Sequence, residues 1–294
     1  MKKKIFLAVV SLILATMAYA QSSGGEIKRN TQASGGQIRR NRHVATPIKP
    51  SKRNPTSKPS YKIMSKTEKD RIIQNLINNM VYVEGGSFFM GGTSEQGTDT
   101  WNLPKIHQEY VSSFKIGRFL VTQIEWMAIM NEIPSEKRGN NYPVDNISIE
   151  DCKLFVSRLS QITNQNFSIP TAIEWEFAAR GGNLSRKYTY AGSNDLDAVA
   201  WYGKSGIHDG NSNNSIHEVG QKQPNELGLF DMSGNVYEWC MSFFDGDGDK
   251  KNSLHPELRG GAYYSENWRC RVAFPSGGGG SNKGVGLRIV LHEH

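Results

Sequence analysis

The chain has 294 residues, with 35 Lys and Arg against 28 Asp and Glu, seven His and three Cys. Its length allows one large domain or two small ones with a full core. Three cysteines exclude a disulfide-stapled miniprotein, and the only long apolar stretch, residues 5–19, is too short for a stable membrane-spanning helix.

Lys2, Lys3 and Lys4 precede the apolar run Ile5 to Ala15, and Ala18-Tyr19-Ala20 places small residues where a signal peptidase reads them. Residues 1–20 therefore read as a cleaved export signal with no transmembrane anchor left behind. The expected location is secreted, periplasmic or at the cell surface, and no Cys follows the run to carry a lipid. Residues 21–66 hold eleven basic side chains and one acid, Glu26, with few large apolar residues. Such a stretch cannot bury enough surface to offset its ordering entropy, so it reads as a basic disordered linker. Within it, Ser23-Gly24-Gly25-Glu26-Ile27-Lys28-Arg29-Asn30 recurs as Ser34-Gly35-Gly36-Gln37-Ile38-Arg39-Arg40-Asn41, a repeat too short and polar for a solenoid. Residues 67–294 hold 21 basic and 27 acidic side chains. The basic balance thus belongs to the linker, and a mildly acidic domain argues against a nucleic-acid partner.

From Ser65 the pattern changes. Ser65 and Glu68 are spaced as a capping box, and Ile72, Ile73, Leu76, Ile77 and Met80 follow at helical spacing. Two strand-like runs then flank Gly85-Gly86. Thr122 with Glu125 and Thr171 with Glu174 mark two further helix starts, and a helix from about Ser148 presents Ile149, Cys152, Phe155, Val156, Leu159 and Ile162 on one side. Beyond residue 182 helical periodicity disappears into short strands and Gly/Asn/Ser loops. The expected class is α+β with few helices, short strands and much irregular loop.

The ordered segments Val83-Glu84-Gly85-Gly86-Ser87-Phe88-Phe89-Met90-Gly91, Ile169 to Gly182, Asn225 to Trp239, Arg259-Gly260-Gly261 and Gly286-Leu287-Arg288 resemble the formylglycine-generating-enzyme family of sulfatase-modifying-factor domains. The resemblance spans residues 79–292 and implies that family's variant of the C-type lectin fold for a domain over 67–294. The family's active members convert a sulfatase cysteine to formylglycine with copper held by two cysteines, a pairing that suits soft Cu(I). Here Ala262 stands at the family's serine, Ser265 at the first cysteine position and Cys270 at the second. With one sulfur ligand gone, copper is not expected and no catalytic residue is assigned; Cys270 would serve only if the chain were an oxidase. The histidines, His43, His107, His208, His217, His255, His292 and His294, form no helical metal-ligand pair, and His292-Glu293-His294 reads as a frayed chain end.

The resemblance also implies a calcium, because a hard cation takes carboxylate and carbonyl oxygens. Its ligands would be Asp231, the carbonyls of Gly234 and Val236, and Glu238. The family's other calcium position falls partly at Val199-Ala200, where an asparagine ligand is missing. Asp245-Gly246-Asp247-Gly248-Asp249 reads as an acidic turn, since Lys250 and Pro256 replace the glycine and glutamate of an EF-hand loop. Cys152 reads as a buried helix residue. The resemblance carries Cys240 and Cys270 towards the ligand pocket, where an oxidising compartment allows a disulfide; free thiols stay open beside it.

The pocket segment contains Tyr263, Tyr264, Ser265, Asn267 and Trp268, large rigid aromatics with adaptable polar neighbours, and is expected to bind a protein or glycan ligand. Tyr263 and Trp268 have core packing as the alternative, and the glycine-rich run 276–284 reads as the pocket's rim. The leading expectation is an exported, catalytically inactive family member. Three alternatives stand beside it: an active formylglycine-generating oxidoreductase, a component of a bacterial surface or secretion assembly, and a retroelement-diversified variable protein.

Overall fold

The computed structural model describes residues 64–97, 103–204, 209–244, 255–278 and 282–293. All belong to the compact unit Pro59–His294. The expected export signal, most of the expected linker, residues 245–249, His43, His208 and His294 lie outside the described residues.

Local signals place the helices. Helix α1 (Lys66–Asn78) starts where Ser65 Oγ accepts the Glu68 N–H, and it buries Ile72, Ile73 and Leu76. Helices α2 (Gln123–Met130), α3 (Ile149–Thr163) and α4 (Ala172–Ala179) each open on a reciprocal capping box: Thr122 with Glu125, Ser148 with Asp151, Thr171 with Glu174. In each box the two side chains satisfy amide groups that the first turn leaves unpaired. Helix α3 buries Ile149, Cys152, Phe155, Val156 and Leu159 as its spacing predicts, whereas Ile162 lies beyond the packed face and is 55% exposed. A single helical turn, α5 (Leu196–Val199), stands where no helix was expected.

The strands form three sheets. Strands β1 (Met80–Val83), β4 (Phe114–Gly117), β10 (Val290–His292) and β5 (Asn166–Ser168) are ordered β1-β4-β10-β5. Strands β2 (Gly86–Met90) and β3 (His107–Val111) pair alone. Strands β8 (Ser276–Gly277), β7 (His255–Arg259), β6 (Tyr237–Phe244) and β9 (Val285–Gly286) make the third, in that order. The two runs around Gly85-Gly86 are thus not partners, since β1 and β2 enter different sheets. His292 is held in β10, where Nε2 lies 2.6 Å from Glu174 Oε1, so it is not a frayed end.

One core cluster joins α1, α2 and α3 to β10 and β6, with Trp126 stacked on Phe155 at 5.0 Å. A second packs α4 against β2, β4 and β6 through Phe114, Trp175 and Phe177. Among the described residues no helix is long and apolar enough to cross a membrane.

Candidate functional site

Two buried polar networks fasten the loops that build the site. In the first, Glu176 accepts the Gly91 N–H and the Arg180 Nε on one oxygen and Arg259 Nη1, at 2.8 Å, on the other. Arg180 continues to Glu95, Thr93 Oγ1 and the Gly91 carbonyl, while Arg259 also pairs with Glu257. In the second, Arg288 commits all five of its donors. Two go to Glu238, at 2.9 and 2.8 Å, and three to the carbonyls of Gly117, Arg118 and Phe230. Trp175 Nε1 adds a 2.7 Å bond to Glu238. Arg259, Arg288, Glu176 and Glu238 are all essentially without solvent contact. Buried charges persist only when paired and hydrogen-bonded, and these are.

The segment after Arg259 makes the site's floor. Gly261 has φ +76°, and a Cβ there would lie 2.7 Å from Cys270 Sγ, which explains the glycine. The Ala262 N–H donates to Ser265 Oγ at 2.9 Å, and Ser265 Oγ donates to Tyr237 OH at 3.1 Å. The hydroxyl at the first family cysteine position therefore closes a buried turn. Cys270 is fully buried against Leu196, Val199, Ala200 and Tyr202, and burial pushes its thiol up to about 12. It is a neutral thiol at physiological pH, and the thiolate is the form that attacks or binds soft metals.

All three cysteines are free and buried. Cys152 belongs to the first core cluster, Cys240 to the second and Cys270 to that of α5. The Cys240–Cys270 disulfide is thus not formed, because the two thiols are packed into different apolar clusters. Burial raises the Cys152 and Cys240 thiols as well.

The expected calcium ligands differ in what they have to offer. Asp231 Oδ2 accepts the Gly220 N–H at 2.8 Å, and Oδ1 has only a 3.4 Å contact to Asn235 Nδ2. Glu238 has both oxygens taken by Arg288 and Trp175. The four groups therefore do not fit a calcium as an open cradle, since a cation on Glu238 would have to displace Arg288 or Trp175. Among the described residues no three His, Cys, Asp or Glu side chains gather as a metal site.

The structure sorts the expected ligand-binding residues sharply. Tyr264 is 43% exposed and lines two cavities. One, of about 390 Å³, is walled by Ser265, Glu266, Arg269 and the strand β8 with Gly278. The other, of about 440 Å³, is walled by Tyr202, Lys204, Asp209, Asn213 and Asn214. Tyr263 turns inward, 6% exposed, onto Leu120, Ile216 and Val236, so it is core rather than contact surface. Ser265 borders the first cavity but is 3% exposed and occupied by its turn. Trp268 packs edge-on against Phe274 with the Arg269 guanidinium 4.2 Å from its ring centre, and Asn267 Oδ1 accepts the Trp268 N–H. Neither Asn267 nor Trp268 lines these cavities. The second wall, residues 202–204 and 209–214, was missed. Its only mark in the sequence is a Gly/Asn-rich loop, the usual place for contact residues.

The chain matches the family described as "Sulfatase-modifying factor enzyme 1-like domain" over residues 66–293. It is 31% identical to a protein named "Chaperone protein LppX" of Paenibacillus barcinonensis, over 72% of this chain and 89% of that one. It is 30% identical to "Inactive C-alpha-formylglycine-generating enzyme 2" of Bos taurus, over 66% and 81%. Among solved structures, "Treponema denticola variable protein 1" superposes with a TM-score of 0.62 at 23% identity, covering 73% of this chain and 95% of that one. CarF gives a TM-score of 0.59 at 27% identity, covering 73% and 98%.

Proposed function

The chain belongs to the sulfatase-modifying factor enzyme 1-like domain family, with that family's α+β variant of the C-type lectin fold, and from this premise we propose that it is an exported member that binds a ligand and does not oxidise cysteine. One observation carries the reading. Where an oxidase of this family needs two sulfurs, the chain has a hydroxyl locked in a turn, Ser265, and one sealed neutral thiol, Cys270. A hydroxyl is a poor partner for Cu(I), and a buried thiol must lose its proton in an apolar setting before it can bind. A relative whose name marks it inactive and another named a chaperone support a member that works without this oxidation.

The ligand surface is centred on Tyr264, which lines both cavities. Incubating the purified protein with copper and a sulfatase-type cysteine peptide is expected to give no aldehyde by mass spectrometry. Multiple turnovers would reject the reading.

Calcium is not part of this proposal, because Arg288 and Trp175 already saturate Glu238. EDTA is therefore expected to leave the melting curve unchanged, and a fall of several degrees would restore a calcium at the Asp231 turn.

A further inference from the structure

Tyr264 is held as a fixed platform. Its hydroxyl donates to the Lys283 carbonyl at 3.0 Å, and its ring meets Tyr263 edge-on at 5.0 Å and Tyr237 at 6.3 Å. Glycines press against its ring and its backbone. A Cβ at Gly284 would lie 2.7 Å from the Tyr264 ring, and one at Gly203 would lie 2.5 Å from its backbone carbon. Neither neighbour can carry a side chain without moving the tyrosine. A part-exposed ring fixed this way binds without first losing rotamer freedom.

The two lobes that Tyr264 lines share one charge pattern. Glu266 and Arg269 are the charged residues of the first. Lys204 and Asp209, paired at 3.2 Å, are those of the second. Among the described residues each lobe is therefore balanced, with no surplus of either sign for a phosphate, a sulfate or a polycation. The remaining second-lobe walls are mainly glycine and exposed amide, Asn213 and Asn214 above all, while Ser212 lies buried behind them with its hydroxyl donating to the Tyr263 carbonyl. Neither lobe offers the deep apolar socket that anchors a protein hot spot. The strands at the first lobe's rim, β8 and β9, are two residues long each, too short to template an added peptide strand. An aromatic face between planar amide, carboxylate and guanidinium groups suits a ligand with apolar C–H faces and many hydroxyls.

We propose that the Tyr264 surface binds an uncharged oligosaccharide, one ring seated on Tyr264 and its neighbours reaching into the Glu266–Arg269 and Lys204–Asp209 lobes. This rests on the binding-module reading above and specifies its ligand. The probes are neutral tetrasaccharides of glucose, galactose, mannose and N-acetylglucosamine, titrated calorimetrically against the full chain. A sulfated tetrasaccharide and an uncharged Gly/Ser peptide of similar length are the comparators. At least one neutral tetrasaccharide should bind, and its disaccharide should bind roughly tenfold more weakly, because it fills one lobe only. Affinity should hold between low and moderate salt, since no net charge is neutralised. Tyr264→Ala should weaken binding about tenfold or more, while Tyr264→Phe keeps the ring and stays within about threefold. Asp209→Ala and Glu266→Ala, in opposite lobes, should each weaken it by about threefold or more. The inference is overturned if no neutral tetrasaccharide binds, if the peptide or the sulfated sugar binds better, or if Tyr264→Ala changes nothing. None of those results would restore aldehyde formation with copper, so failure of the sugar assignment and failure of the non-oxidase reading are told apart.

Discussion

Adjacent residues in the pocket segment have opposite fates, and that is the limit of reading them from sequence. Tyr263 and Tyr264 are the same residue type in one turn, yet the first is core and the second is surface. A turn has no two- or 3.6-residue period that would assign them, so only the tertiary contacts of Leu120 and Ile216 decide. Ser265 looked adaptable because it is a serine, but the Ala262 N–H claims it. Asp145 was likewise silent. It is 5% exposed; Oδ2 accepts the Gly284 N–H at 3.3 Å and its backbone N–H donates to Ser135 Oγ, while Oδ1 has no partner. Burial holds its carboxyl above the usual range. A carboxyl raised on folding adds most stability below its unfolded value near 3.8, and that contribution is lost as pH rises through the folded value. Asp145→Asn should therefore be more favourable relative to the native protein at pH 7 than at pH 4. Urea unfolding at the two pH values checks this, and a gap that does not narrow on acidification contradicts it.

The elements were legible where the chain states its own boundaries. The boxes Thr122–Glu125 and Thr171–Glu174 and the Ser65 cap start helices where the spacing says, because these signals are satisfied by backbone within one turn. Which strands pair was not legible, because β1 and β2 are divided by long-range partners β4 and β3 that no local pattern names. The signature residues Trp175, Arg180, Glu238, Arg259 and Arg288 revealed the fold, and the structure shows them joining elements. Arg288 alone links β6 to the Gly117 and Arg118 carbonyls at the end of β4 and to Phe230. Arg288→Met would strand Glu238 and three carbonyls in the interior. A loss of about 3–5 kcal/mol is expected in urea unfolding, and a loss below about 1 kcal/mol, the range of exposed pairs, would show that the pair is not buried in solution.

Across the whole molecule, three thiols sit in three separate apolar clusters. Folded protein should give almost no reaction with a thiol reagent, and denatured, unreduced protein should give three equivalents. One equivalent would establish a disulfide after all. The long gap between the two walls of the binding surface explains why half of it escaped notice: residues 202–204 and 209–214 meet residues 264–269 only once the fold is made.

The buried arginine networks have a consequence for how this protein can change. Arg180, Arg259 and Arg288 brace the frame without lining either Tyr264 cavity. Lys204, Asp209, Glu266 and Arg269 line those cavities without bracing that frame. The contact surface can be rewritten in combinatorial libraries while the scaffold keeps folding, so that new specificities arise at little structural risk.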